Sequence, residues 1–403
     1  MRPLQIGIIR EGKTPPDSRV PLTPEQCAYV LDKYPVQISV QPSPGRCFTD
    51  EQYRDQGIAL GEELQGCDVL LGVKEVPIDQ LIPDKTYFFF SHTIKEQPYN
   101  RKLLQAILAN NIRLIDYEVL TNAEGKRLIA FGKFAGMVGA HNGIMTYGRR
   151  TGAYTLGRMH EMYDYNEALA AYEQLELPAM KIVVSGGGRV AKGAIKVLKD
   201  MGIKEVSKRD FLSQEYDRAV FTQLLPKDYV KRKGGGDFVK REFYRDPKSY
   251  ETAFEPYTRV ADVFINGIYW DNDAPAFFTR EQMQRDNFNI QVVADVTCDI
   301  APVSSIPSTL YASTIADPVF GYDPATHEAT DAYQPHTIDM MTVDNLPNEL
   351  PRDASRAFGE QFIAHILPEL LRDHSDVIER ATVAEGGKLG EHFQYLEGYV
   401  AGE

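Results

Sequence analysis

The sequence has no hydrophobic run approaching the ~18 residues that cross a bilayer. Its opening stretch, MRPLQIGIIREGK, is a short apolar patch broken by charge, with no signal-peptide core, so neither a membrane protein nor an exported one is expected. Cysteine is scarce: Cys27, Cys47, Cys67 and Cys298 are widely spaced and form no CxxC, which argues against a disulfide framework or a zinc knuckle and for a reduced, cytoplasmic protein. Positive charge is in the minority, 44 Lys and Arg against 57 Asp and Glu for a net −13, so no nucleic-acid partner is expected, although a local basic pocket is compatible with that total. No metal site is expected either. His160-Glu161-Met162-Tyr163-Asp164 begins like a zinc-binding HExxH helix but lacks the second histidine, and His327, His336, His365, His374 and His392 show no ligand spacing. A GxSxG elbow, internal repeats and low-complexity segments are all absent.

What is present is an ordinary soluble composition, 43% hydrophobic and 25% charged over 403 residues. At ~100–200 residues per domain that length predicts two or three domains. Short β-branched and aromatic runs (LQIGII, VQISVQ, DVLLGV, KTYFFFS, IRLIDY) alternate with helical stretches such as TPEQCAYVLDKY, where Thr23 is placed as N-cap and Pro24 as the first helical residue. This alternation predicts parallel sheets covered by helices. The expected fold is α/β, two Rossmann-like doubly wound domains with an interdomain cleft. Residues 1–132 with 322–403 form the first and 133–321 the second, with an insertion near 211–259 that carries a mobile tip at KRKGGGD. The C-terminal segment, ASRAFGEQFIAHILPELLRD, is amphipathic and is expected to pack on the first domain, since it lacks strands to form a domain of its own.

Ser185-Gly186-Gly187-Gly188-Arg189-Val190-Ala191 follows the apolar strand KIVV and opens a helix, matching GxGxxA. Gly186 allows the tight turn, Gly188 lets a pyrophosphate approach the backbone, and Ala191 is small enough for helix–strand packing. A lone GxGxxA is a weak signal, but the strand–turn–helix context strengthens it. In KEVSKRDFL, Asp210 is the acid expected to meet the adenosine 2′-hydroxyl of NAD, while Lys208 and Arg209 are candidates for the 2′-phosphate of NADP. Lys231-Arg232-Lys233 is read as a solvated basic loop, with a phosphate contact as the alternative.

Ligands of open α/β sheets bind outside the carboxyl ends of the strands. Applied to the first domain, that rule collects Arg10, Glu11 and Lys13 after LQIGII, Lys74 and Glu75 after DVLLGV, His92 and Lys95 after TYFFFS, and Glu118 after IRLIDY. Lysine and histidine held near carboxylates have the pKa range that proton transfer at neutral pH needs, and several cations together suit a substrate with more than one carboxylate. With a nicotinamide cofactor, the set suggests hydride transfer at a carbon bearing oxygen or nitrogen.

The segments IIREGKTPPDSRVPLTPEQ, LLGVKEVP, FFFSHTIKEQ, IRLIDYEVL, RLIAFGKFAGMVGA, FINGIYW and VDNLPNELPRDAS together resemble saccharopine dehydrogenase (lysine-forming). The resemblance is closer still to the lysine–ketoglutarate reductase half of the bifunctional lysine-degradation enzyme, within the superfamily of alanine dehydrogenase and the transhydrogenase nucleotide domains. It implies that Lys74 is the base and His92 the general acid, with Glu75 and Glu118 tuning them. It further implies that Arg19 and Arg127 bind substrate carboxylates, that Lys13, Lys95 and Gln97 lie nearby, and that Phe131 lines the pocket. Gly186, Gly188, Arg189 and Val190 would form the cofactor loop, and Asn266-Gly267-Ile268 with Asp295 and Val296 would lie beside the nicotinamide. Asp210 aligns with the ribose aspartate of the NAD-using enzymes; the NADPH-using bifunctional reductases lack an acid there. Val190 stands where the fungal enzymes carry a cysteine, so no disulfide is implied. The implied activity interconverts saccharopine with L-lysine and 2-oxoglutarate through an imine, with NAD as cofactor and NADP as the alternative, in a monomer or homodimer. The competing readings are an alanine-dehydrogenase-type enzyme acting on pyruvate and ammonia, and a nucleotide-binding regulator without turnover.

Overall fold

The computed structural model describes residues 2–402. The chain forms two compact units, Met1–Phe131 with Pro351–Glu403, and Gly132–Leu350. Among the described residues, no helix is long and apolar enough to cross a membrane.

In the first unit, β1 (Leu4–Ile8), β2 (Val36–Val40), β3 (Ala59–Leu60), β4 (Val69–Leu71), β5 (Thr86–Phe89) and β6 (Arg113–Asp116) pair in parallel in the order β3-β2-β1-β4-β5-β6. This is the doubly wound order, and the direction of winding reverses between β1 and β4. Val69, Leu70 and Leu71 are all buried, as a central strand covered on both faces requires. Helix α1 (Pro24–Lys33) starts on a capping box between Thr23 and Gln26 with Pro24 in its first turn, and α2 (Asp50–Asp55) repeats the device with Thr49 and Gln52. Helix α3 (Arg101–Ala109) buries Leu103, Leu104 and Ile107 against the sheet core of Leu70, Tyr87, Phe89 and Leu114.

The second unit opens with the largely buried α4 (Gly132–Thr151) and with α5 (Tyr165–Glu173). Its strands are β7 (Met180–Ser185), β8 (Lys204–Glu205), β9 (Ala219–Leu224), β10 (Val230–Arg232), β11 (Tyr250–Thr252), β12 (Val263–Asn266), β13 (Val292–Asp295), β14 (Val319–Asp323), β15 (Glu328–Thr330) and β16 (Ile338–Met341). Between them lie α6 (Arg189–Asp200), α7 (Lys208–Ser213) and α8 (Pro226–Tyr229). The sheet runs β15-β14-β16-β13-β12-β7-β9-β8, with β10 and β11 apart as a two-stranded ribbon. Helices α4 and α6 cross backbone to backbone. A Cβ added at Gly136 would lie 1.8 Å from the Val190 carbonyl oxygen, and one at Gly193 would lie 2.0 Å from that of Lys133.

Two expectations of organisation are corrected. The chain leaves the second unit at Pro351 rather than near residue 322, because β16 pairs onto β13 and β14 onto β16, completing the second sheet. The stretch 211–259 is not wholly an insertion, since β9 within it is a buried strand paired directly with β7. The added part after β9 is folded onto the sheet through aromatic packing, with Phe254 4.8 Å from Phe264 of β12 between ring centroids. The segment from Ala354 to Asp373 carries no strand and belongs to the first unit, as expected; beyond it, β17 (Thr382–Glu385) pairs antiparallel with β6, and β18 (Lys388–Leu389) with β17. Helix Pro351–Gln361 precedes them and sets Phe358 against Tyr117 and Phe131, at ring-centroid distances of 4.9 and 4.6 Å.

Candidate active site

The winding reversal in the first unit brings the loop after β1 against the loop after β4. Glu11 bridges them: its two carboxylate oxygens accept the backbone N–H groups of Val73 and Lys74 at 2.6 and 2.9 Å. Burial and the neighbouring Asp17 carboxylate push Glu11 up to about 8. Glu11 thus fixes the peptide that carries Lys74. Burial, and after it the charges of Arg19 and Lys13, bring the Lys74 ammonium down to about 8.

Glu75 is shared by two cations. One oxygen lies 2.6 Å from His92 Nδ1 and the other 2.9 Å from Lys13 Nζ. Burial alone would raise this carboxylate, but the His92 and Lys13 contacts outweigh it and hold it down to about 2. His92 sits in the left-handed region at φ 52°, a conformation uncommon for a side chain of this size. The loop is held there by Asp116, the fully buried last residue of β6. Asp116 accepts Ser91 N–H at 3.0 Å and Ser91 Oγ–H at 2.5 Å on one oxygen, and Glu118 N–H at 2.7 Å on the other. Ser91 Oγ also lies 2.7 Å from Thr93 Oγ1. Sequence reasoning gathered Glu11 at this edge but did not single out Ser91, Thr93 or Asp116; each stands at or just past a strand's carboxyl end, which is where the signal lay.

The other expected residues of this unit fall into two groups. Glu118 gathers Lys95 Nζ at 3.2 Å and Arg127 Nη1 at 3.8 Å, and the Arg127 guanidinium lies 5.4 Å from the Phe90 ring centre. Arg19 is only 3% exposed: it donates to both oxygens of Asp17 at 3.0 and 2.6 Å and lies 4.2 Å over the Phe131 ring. Its charge is therefore matched within the protein. Gln97 offers its backbone carbonyl to Tyr399 Oη–H at 2.6 Å.

In the second unit, the glycine turn follows β7 as read. Gly186 has φ 101°, and a Cβ there would come within 2.6 Å of the Gly267 carbonyl oxygen. Gly188 caps α6, whose first turn has no side-chain cap, and a Cβ at Gly188 would meet nothing within 4 Å. The helix N–H groups and the open space beside them fit a dinucleotide pyrophosphate. Arg189 and Val190 begin α6. Asn266 and Asp295 are fully buried and bonded to each other, Asn266 Nδ2–H donating to Asp295 at 3.0 Å. Asn266 also accepts Ser185 Oγ–H at 2.8 Å, and Asp295 accepts Thr309 Oγ1–H at 2.6 Å. Their side chains tie β7, β12 and β13 together beneath the turn. Val296 N–H bonds the Asn266 carbonyl at 3.1 Å, and the Val296 side chain fills the space beside Gly139 of α4.

Asp210 is not at the strand end beside the glycine turn. It lies in the first turn of α7, capped by Ser207, and its Oδ1 accepts Gln214 Nε2–H at 3.2 Å. The strand next to β7 is β9, while β8 lies outside β9. In the basic run, Lys231 and Arg232 are paired with Glu251 and Glu242. Among the described residues, His374, Asp376 and Glu379 bring ligand atoms within 4.8 Å of one another, all three exposed.

Residues 7–138 match the family model described as alanine dehydrogenase/PNT, N-terminal domain. The chain is 30% identical to the mitochondrial alpha-aminoadipic semialdehyde synthase of Rattus norvegicus, over 97% of the chain and 47% of that protein. It is 27% identical to the saccharopine dehydrogenase (NAD+, L-lysine-forming) of Emericella nidulans, over 93% of the chain and 94% of that protein. Over most of its length the chain is similar to several lysine-forming saccharopine dehydrogenases. It spans about half the length of the semialdehyde synthases it matches. A solved L-alanine dehydrogenase shares the fold, with a TM-score of 0.67 at 15% identity over 98% of this chain and 99% of that one.

Proposed function

We propose that this chain is an oxidoreductase acting on a CH–NH bond, interconverting saccharopine with L-lysine and 2-oxoglutarate. The observation that carries the reading is the Lys74 amine, brought down to about 8, next in sequence to Glu75, which is bridged to His92 at 2.6 Å. The similarity to lysine-forming saccharopine dehydrogenases supports it. A pyridine nucleotide held at the glycine turn would supply or accept the hydride.

In the reductive direction, the ε-ammonium of lysine must lose a proton before nitrogen attacks the ketone of 2-oxoglutarate. The Lys74 amine takes that proton, since a side chain titrating near 8 is partly neutral at working pH. The resulting carbinolamine loses its hydroxyl as water, and His92, its Nδ1 held 2.6 Å from a Glu75 oxygen, supplies the proton. The imine then accepts hydride at carbon to become the secondary amine of saccharopine. That product has three carboxylates, and Lys13, Lys95 and Arg127 are the cations offered to them. Each lies 2.9–3.8 Å from an internal carboxylate.

The test is a panel following NADH or NADPH oxidation with lysine plus 2-oxoglutarate, and separately with pyruvate plus ammonia. Oxidation dependent on both lysine and 2-oxoglutarate is expected. Activity with pyruvate and ammonia alone would replace the reading by an alanine-dehydrogenase type.

A further inference from the structure

Strand β7, MKIVVS, is buried along its whole length, as the centre of a covered parallel sheet requires, yet its second residue is a lysine. Lys181 is 7% exposed, and its ammonium lies 5.9 and 5.8 Å from the ring centres of Phe211 of α7 and Tyr216. Aromatic faces attract a cation without neutralising it. The ion partner of Lys181 is Glu215 at 3.6 Å, beyond hydrogen-bond range, and the Glu215 side chain is 98% exposed. A charge taken out of water is costly unless a close counter-charge offsets it, and a solvated carboxylate at that distance does so poorly. Asp262 offers no better match. Its Oδ2 accepts the Lys181 backbone N–H at 2.8 Å and its Oδ1 accepts Asn289 Nδ2–H at 3.2 Å, while burial raises its carboxyl above the ordinary value.

These residues line a cavity of about 280 Å³ where the chain enters β7, β9, β12 and β13. Those four strands are parallel, so the cavity lies at the opposite edge of the sheet from the glycine turn. Tyr216, on the cavity wall, has its Oη buried without a hydrogen-bond partner. A buried hydroxyl left in that state is destabilising until an acceptor meets it. Two further cations line the same cavity, Arg218 and Arg259, each in an exposed pair with Asp217 and Glu255 respectively. Exposed pairs of that kind are weak and exchange partners readily. The cavity thus joins a poorly matched buried cation, an unused donor and two exchangeable guanidinium groups. A small oxyanion supplies the charge and the acceptor that they lack.

We propose that this cavity is a second ligand site, taking a small phosphate or carboxylate anion between the Lys181 ammonium and the Tyr216 hydroxyl, with Arg218 and Arg259 as further cations on its exposed side. Glu215 competes with the ligand for the same ammonium. The site shares no residue with the catalytic set of the first unit or with the glycine turn, so it stands independently of the proposed reaction.

The test is calorimetric titration of the full chain with inorganic phosphate and, in a separate arm, with malonate. Saturable binding of at least one is expected, and the tighter of the two identifies the acidic group that the site takes. Lys181→Met should weaken that binding by at least about tenfold, and Tyr216→Phe by about tenfold, the loss of one hydrogen bond to a charged group. Glu215→Gln, at an exposed position where folding is not at stake, should tighten it by removing the competing carboxylate. Lys74→Met should leave it unchanged, which separates this site from the catalytic cations. Thermal melting keeps the variants interpretable. Without added anion, Lys181→Met should melt at or above the parent, since an apolar chain of similar length replaces a poorly matched buried charge. It should also lose the rise in Tm that the anion gives the parent. No saturable anion binding to the parent, or an affinity unchanged in Lys181→Met, Tyr216→Phe and Glu215→Gln, would overturn the proposal. A Glu215→Gln variant that melts lower and binds the anion no tighter would make Lys181 and Glu215 a structural ion pair, and would overturn it as well.

Discussion

Replacing Lys74 by methionine separates a catalytic amine from a structural one. A lysine at its ordinary 10.5 is neutral in only about one molecule in a thousand at pH 7.5, whereas one at about 8 is neutral in roughly a quarter, a gain of some 200- to 300-fold in usable base. Removing a general base costs about 10²–10⁴ in rate, so Lys74→Met should lower kcat for saccharopine oxidation by at least about 10². Nucleotide binding should stay within about twofold, because no part of the glycine turn is altered. In the unsubstituted protein kcat/KM should rise as pH passes through about 8, where the amine becomes neutral, and that limb should vanish in the variant. Stability gives an independent readout. The folded chain binds fewer protons than the unfolded one between about 8 and 10.5, so it gains about 3 kcal/mol as pH rises through that window. Lys74→Met should lose this slope and, near pH 7, unfold at a higher urea concentration than the parent. Wild-type turnover in Lys74→Met, or persistence of the limb near pH 8, would refute the assignment.

Other expectations rest on neighbouring observations. Glu75→Gln should reduce turnover by about tenfold or more by removing the anion shared by His92 and Lys13. It should also abolish the loss of about 3 kcal/mol that the parent shows as pH falls from about 4.5 towards about 2, read from urea midpoints. His141 is buried between Tyr172 Oη–H and the Gly157 carbonyl, and burial brings it down to about 4. Its contribution, intact above about 6.5, should decline by about 3 kcal/mol as pH falls to about 4, and a glutamine there should flatten that slope in the same urea series. Gly136→Ala, whose Cβ would lie 1.8 Å from the Val190 carbonyl, should cost about 1–3 kcal/mol or more and loosen nucleotide binding, measured by Tm and by NADPH titration.

Much of the fold was legible because local signals agreed with it. Thr23 with Pro24 announced α1, and buried runs such as VLL and KIVV announced parallel strands. The strand-end rule gathers Lys13, Lys74, Glu75 and His92 from the sequence, because a parallel sheet sends every strand's carboxyl end to one edge. Strand order was not legible. β8 and β9 are both short β-forming runs, and only long-range pairing decides which lies against β7; Asp210 was assigned on the assumption that the next strand in sequence is the next in space. The pairing of Arg19 with Asp17 was hidden for a related reason. Two residues apart in sequence, they meet through a loop conformation that no periodicity describes. Strands β14 and β16 were missed as part of the second sheet because charged and proline-containing connections separate them from β13.

The crossing of α4 and α6 has a consequence for engineering. Two helices that meet through bare backbone leave no slack for repacking, so their mutual register is set by main-chain atoms and is indifferent to most side-chain changes outside the contact. The turn that begins α6 inherits that register. Helix α4, strand β7 and helix α6 therefore behave as a cassette. Transplanted together, they should carry the turn's geometry into a new host sheet, whereas a graft of the glycine motif alone would arrive without the brace that shapes it.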